Sequence, residues 1–219
     1  MRDYASPEVL ESELLLTTSG ENWPSVAPTG TGRRRLSRAD WVEAATEELA
    51  AHGFPALAAT SAAQRLGVPE KSFATHFESH DDLVEAVLQR WKALDTDELV
   101  ESLDRIADPR VRLARFVESA FQRHRSGRVF AALCGTASHL RVRSVMALVR
   151  EARLACLERA LTELGLSPRR ARDRAVLIYT TYVGFWGLVA DDPNLDDSNP
   201  RFLHRIAEHV KNTLIPSEP

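Results

Sequence analysis

From Ser37 onward, apolar residues recur every three to four positions, with Gly, Pro and cap residues between the runs. That period predicts amphipathic helices. The first starts at Ser37, where Ser-x-x-Asp40 makes a capping-box signal. It carries Trp41, Ala44, Ala45 and Leu49 and stops at Gly53. A second, short helix ends in Leu66-Gly67-Val68. Pro69 suits the first turn of a third, which is expected to run to about Phe77. The fourth starts at Ser79 with Asp82 three residues on, carries Leu83, Val84, Val87, Leu88 and Trp91, and is expected to continue to about Leu103.

The pattern continues through five more helices. Asp108-Pro109 opens the fifth, with a stop expected near Ser126-Gly127. The sixth is expected from about Arg128 to Ser138, and the seventh from about Arg141 to Leu164. Val142, Val145, Met146, Val149, Ala152, Cys156, Leu157, Ala160, Leu161 and Leu164 keep three-to-four spacing along the seventh. Ser167-Pro168 caps the eighth, which is apolar all round from Ala175 to Ala190 and therefore needs cover on every side. Asn199-Pro200 caps the ninth, whose stripe runs from Phe202 to Leu214. The fold class is all-α, with a three-helix head on a larger helical body.

The second and third helices with the Gly-containing turn between them read as a helix-turn-helix. Ala62-Ala63, Gly67-Val68, Ser72, Phe73, His76-Phe77, Ser79, Asp81 and Leu83 fall in one register without a gap. This stretch of roughly fifty residues resembles the DNA-binding domain of the TetR (tetracycline-repressor) family of bacterial transcriptional regulators. Four positions depart from the family pattern. Ala74 replaces a Tyr and His80 a Lys, both phosphate contacts in the family. Lys71 replaces a Gly, and Ala58 stands where a Ser or Thr usually caps the second helix. That helix is therefore expected to begin late, at Thr60.

The resemblance implies residues 33–91 as a DNA-binding head and residues 92–219 as a ligand-binding and dimerisation body. It also implies a homodimer joined through the eighth and ninth helices, and a repressor released from a double-stranded DNA operator by a small-molecule effector. Residues 1–32 form a flexible extension: a short possible helix from Pro7 to Leu16, then a Thr/Ser/Gly/Pro-rich linker with Trp23 as a possible docking residue.

Charge is placed unevenly. The formal net charge is −3, with five acids and one Arg in residues 1–32, and eight bases against nine acids in residues 33–92. A basic head would be expected of a DNA-binding domain. The cations cluster instead at Arg33, Arg34, Arg35 and Arg38, just before and inside the first helix, where an arm can meet the phosphate backbone or the minor groove. Ser61 and Gln64 on the second helix, His76 near the end of the recognition element and His80 beyond it are the other candidate contacts. On the recognition element itself Glu70, Lys71, Ser72 and Thr75 are polar and available, Lys71 for guanine and Glu70 for cytosine.

For the effector, Phe116, Phe121, Phe130, Tyr179 and Tyr182 are the available aromatic wall residues. His124, His139 and Thr180 are the polar handles.

Other chemistry finds little footing. His76 and His80 are separated by the Ser79 cap, which removes the i,i+4 geometry a zinc pair needs, so no metal is expected. His204 and Glu208 read as a solvated helix pair. The chain holds no phosphate-loop, nucleophile-elbow, zinc-protease or dinucleotide motif, so no enzyme activity and no cofactor are expected. Cys134 and Cys156 have no metal or redox spacing and fit a reduced, cytoplasmic protein. No secretory signal opens the chain, and no stretch reaches the ~18 continuous apolar residues of a membrane span. The competing reading keeps the fold as a sensing or interaction module whose decayed head does not bind DNA.

Overall fold

Ser37 starts the first helix as its pattern requires. In a computed structural model, which describes residues 35–136, 138–192, 194–195 and 198–216, α1 spans Arg38–His52. Asp40 N–H donates to Ser37 Oγ at 3.3 Å, and Ser37 N–H donates to Asp40 Oδ2 at 2.7 Å, which completes the capping box. Helix α2 spans Ala59–Leu66, one residue earlier than the Thr60 start, because backbone conformation at Ala58 suffices without a side-chain cap. Gly67 then turns left-handed at φ 66°, so that Val68 N–H reaches Ala63 O at 3.1 Å. Only glycine adopts that conformation at little cost.

The recognition element departs from expectation. It is a 3₁₀-helix, Glu70–Thr75, rather than an α-helix reaching Phe77. Pro69 stands outside it, with extended backbone at ψ 137°. Ser72 N–H donates to Pro69 O and His76 N–H to Phe73 O, both at 2.9 Å, so the ladder is i→i−3. Six residues are too few to repay an α-helical nucleus. Instead the Phe73 ring stacks on Phe77 at 5.0 Å and meets Trp41 edge-on at 5.7 Å.

The expected fourth helix is also divided. Helix α3, His80–Lys92, runs into a π-turn, Ala93–Asp97, and continues as α4, Glu98–Asp104. Glu98 N–H donates to Ala93 O across five residues. The extra residue in the turn carries Asp95 and Thr96 inward, where they are 4% and 0% exposed.

The body follows with α5 Pro109–Gln122, α6 His124–Cys134, α7 Leu140–Glu163, α8 Pro168–Asp191 and α9 Pro200–Leu214. Asp108 and Asn199 cap α5 and α9 through their side chains, as their sequences predict. Helix α8 packs on α7 and α6, and α9 on α5. All regular structure among the described residues is helical. The first 32 residues, with the possible helix Pro7–Leu16 and Trp23, lie outside the described residues, and Leu36 onward forms one compact unit.

The break between α5 and α6 falls at Arg123, not at Ser126-Gly127. Gly127 lies inside α6 because of packing. A Cβ there would stand 2.0 Å from the ring of Trp186, which is fully buried and donates its indole N–H to Ala120 O at 3.2 Å. Replacing Gly127 by Ala is therefore expected to destabilise the protein by about 2–3 kcal/mol. That value overrides the ~1 kcal/mol by which alanine ordinarily favours a helix interior. Urea denaturation of the two proteins at one concentration checks it, and a neutral or stabilising Ala would show that Trp186 relaxes freely.

Candidate DNA-binding head and effector core

The head gathers most of the predicted DNA contacts on one short region, but several are already engaged within the fold. Gln64, Lys71 and Thr75 are exposed, Ser61 and Ser72 half-buried, and Arg35 is exposed at the head of the described chain. Arg33 and Arg34 lie outside the described residues. Glu70 is exposed, yet its Oε2 accepts from Thr60 Oγ1 at 3.1 Å, which ties the start of the recognition turn to α2. Thr75 donates its hydroxyl to Ser72 O at 2.7 Å. Ala74, where a phenol would reach phosphate, is exposed. His80 is exposed but its Nε2–H donates to Leu57 O at 2.6 Å, so the imidazole also holds the loop before α2. The His76 ring lies 6.0 Å from Trp41, on the core side of the turn.

Arg38 is the most heavily committed of them. Its guanidinium forks onto Asp82, with Nη2–Oδ1 2.5 Å and Nη1–Oδ2 3.0 Å, and donates to His76 O at 2.7 Å. It also lies 4.3 Å over the Phe77 ring. That hydrogen-bonded guanidinium holds the Asp82 carboxyl below the usual carboxylate range. Arg38 thus clamps the start of α1 to the start of α3 and to the end of the recognition turn. Replacing it by Ala is expected to lower the melting temperature and any DNA affinity together, while leaving the salt dependence of binding unchanged. Were Arg38 neutralising a phosphate instead, the same substitution would reduce the slope of log K against log salt by about 0.9.

In the body, four of the predicted aromatic residues do converge. Phe130 lies 4.6 Å from Tyr182, Tyr179 6.1 Å from Tyr182, and Phe121 6.4 Å from Tyr182. Phe116 is buried on α5. The polar handles are not with them. Thr180 is exposed and bonds back to Leu177 O at 3.0 Å. His139 sits at the junction with the head, 5.3 Å from Phe54, and His124 lies 6.5 Å from Trp186.

The polar group that does enter the aromatic cluster is Arg153 of α7, 3% exposed, with its Cζ 4.9 Å over Tyr182 and 5.9 Å over Phe130. It pairs with Asp95, and its Nε–H donates to Thr96 Oγ1 at 3.2 Å. Burial pushes the Tyr182 hydroxyl well above its ordinary pKa, so it is a neutral partner for the guanidinium. The sequence carries a signal for this pair. Arg153 stands between Val149 and Cys156 on an apolar stripe, and Asp95 between Trp91 and Leu99 on another. A charge on a buried stripe needs a partner on the facing one. Trp91 joins the head to this cluster: its ring is 6.4 Å from Phe130, and its indole N–H donates to Ser126 Oγ of α6 at 3.1 Å.

A three-helix head with a short recognition turn, carried on a helical body, is the fold of solved TetR-like regulators, and this chain shares that fold. It superposes on a transcriptional regulator from Rhodococcus sp. RHA1 with a TM-score of 0.67 at 20% identity, over 82% of this chain and 96% of that one. A TetR-like transcriptional regulator from Rhodococcus sp. RHA1 gives a TM-score of 0.58 at 18% identity, over 82% and 100% of the two chains. The regulator FadR from Bacillus subtilis, solved in complex with stearoyl-CoA, gives 0.60 at 19% identity, over 81% and 99%. No protein-family model and no curated protein matches the sequence. None of the described helices is long and apolar enough to cross a membrane.

Proposed function

We propose that the chain is a ligand-responsive DNA-binding transcriptional regulator of the cytoplasm, without enzyme activity. In this reading it is a homodimer whose heads, residues 33–91, leave their operator when a small molecule enters the bodies, residues 92–219. The observation that carries the proposal is the head itself. On a TetR fold, it exposes Gln64, Lys71 and Thr75 around the Gly67 turn, where side chains of a helix-turn-helix face base edges and phosphates. The neighbour with stearoyl-CoA supports an apolar effector, for which the buried aromatic cluster around Tyr182 is the proposed seat here. Coupling requires the effector to favour the conformation that DNA does not, and the effect is reciprocal.

The arginine arm is the electrostatic part of this reading. With Ala74 in place of a phosphate contact and Arg38 committed to Asp82, neutralisation falls on Arg33, Arg34 and Arg35. Electrophoretic shifts against the DNA upstream of its own gene test the function directly. Replacing the three arginines by Ala is expected to weaken binding to every sequence and to lower the salt slope by about 0.9 for each phosphate no longer neutralised. Lys71→Ala is expected to relax preference at one position of each half-site instead. Ala74 and the inward hydrogen bond of His80 also favour a second reading, a sensing module that does not bind DNA. Absence of any shift in the wild-type protein at low salt would select it.

A further inference from the structure

Arg153 and Asp95 form a buried ion pair that the head and the aromatic wall leave unexplained. Arg153 is held by α7 and flanked by the rings of Tyr182 and Phe130. Asp95 is not on a regular helix. It belongs to the π-turn Ala93–Asp97, the last link between α3 of the head and α4 of the body. π-turns of this kind hold an extra residue in the helix at a local cost and recur at functional positions. Here the turn delivers one carboxylate to one guanidinium.

The chemistry of the pair limits what can replace it. A buried guanidinium cannot be left without an anion, so any molecule that draws Asp95 away must bring a negative charge of its own. Carboxylates and phosphates both match a planar guanidinium fork, and of the two a carboxylate replaces Asp95 like for like, one charge for one. The buried rings of Tyr182 and Phe130 beside Arg153 make the surroundings apolar, so the remainder of such a molecule must be apolar too. Asp95 has a second position to move to: Arg123, 45% exposed, already lies 3.7 Å from its Oδ1 and donates to Leu94 O of the same turn at 3.1 Å.

We propose that Arg153 is the anchor of the effector site, that the effector is an apolar carboxylic acid, and that its carboxylate takes the place of Asp95. This deepens the regulator reading above and rests on it for the consequence at DNA. The ligand competes with a side chain of the connecting helix for one cation. Released from Arg153, the π-turn loses the contacts that hold its extra residue. Reverting to α geometry moves α3 relative to α4 by one residue, about 1.5 Å of rise and about 100° of rotation. Trp91 and the head lie directly on that path.

Calorimetric titration of the full chain with benzoate and with decanoate, each against its methyl ester, tests the proposal. The two acids separate an aromatic from an aliphatic body. At least one acid is expected to bind, with its ester at least about tenfold weaker because the guanidinium would be left without an anion. Asp95→Asn keeps the shape and removes the competing charge, so the same acid should bind it at least about tenfold more tightly than the wild type. Arg153→Gln combined with Asp95→Asn leaves a neutral pair and should not bind, with helix content by circular dichroism confirming that it folds. The proposal is overturned if acid and ester bind equally, if Asp95→Asn gains no affinity, or if neither acid binds wild type or Asp95→Asn at millimolar concentration. The titration contains no DNA. Binding of an acid by a protein that shifts no DNA would remove the regulator reading alone, and an operator shift without acid binding would remove this proposal alone.

Discussion

Arg153→Gln alone is expected to cost about 3–5 kcal/mol of stability, and Arg153→Gln with Asp95→Asn to recover most of it. The single substitution leaves a carboxylate that is 4% exposed with no cation on its inner side; Arg123, 3.7 Å away, sits towards the surface. The double substitution exchanges the ion pair for two neutral amides, the asparagine matching the aspartate in shape. Replacing both members of a buried pair is often close to neutral, whereas removing one is not. Urea denaturation of wild type, both single variants and the double variant gives the cycle, at one protein concentration because a dimer's stability depends on it. A single-variant loss below about 1 kcal/mol would mean that water reaches the pair, as it does for surface ion pairs.

That buried pair is a long-range feature, and long-range features are the ones a sequence hides. Capping chemistry is legible because it is local: Ser37, Ser79, Asp108 and Asn199 each accept hydrogen bonds from backbone N–H groups two or three residues on. The helix-turn-helix is legible because its register is fixed within about twenty residues. The break at Arg123 is not, since Gly127 looks like a stop signal until the Trp186 ring, far along the chain, is seen to require the missing Cβ. Nor is the short 3₁₀ form of the recognition element, in which Phe73 stacks on Phe77 and meets Trp41 edge-on.

The same distinction holds for the candidate site. Four of the five aromatic residues expected to line it come together around Tyr182, since large apolar side chains at stripe positions turn to the core. The polar handles cannot be picked by type. Thr180 lies one position from the buried Tyr179 and faces outward, and His139 is spent at the junction with Phe54. Arg153 escapes notice because an arginine in an Arg-rich helix reads as surface. Its position on the Val149–Cys156 stripe is the available clue.

Leu177→Glu combined with Leu188→Glu is expected to raise the dissociation constant of the proposed dimer by about a thousandfold while leaving each subunit folded. The all-round apolar stretch from Ala175 to Ala190 includes the large side chains Phe185 and Trp186. The structure places them in their own subunit's core, at 9% and 0% exposure, so a charge there would unfold the chain and reveal nothing about assembly. What α8 leaves uncovered is Val176 at 39%, Leu177 at 53% and Leu188 at 62%, with Thr180 and Gly184 exposed between them. Leu177, Gly184 and Leu188 fall at i, i+7 and i+11, one stripe of the helix. A Cβ added at Gly184 or Gly187 would meet no described atom of its own chain within 4 Å beyond the adjacent residues and helix backbone. Their smallness therefore serves no contact inside the subunit and leaves room for a second helix to approach closely. Glutamates at 177 and 188 would bury unpaired charge in that contact, whereas in a monomer they would lie in water. Sedimentation velocity at micromolar concentration checks the expectation, with circular dichroism as the control for folding. A monomeric wild-type protein, or a doubly substituted one that stays dimeric, would remove α8 as the interface.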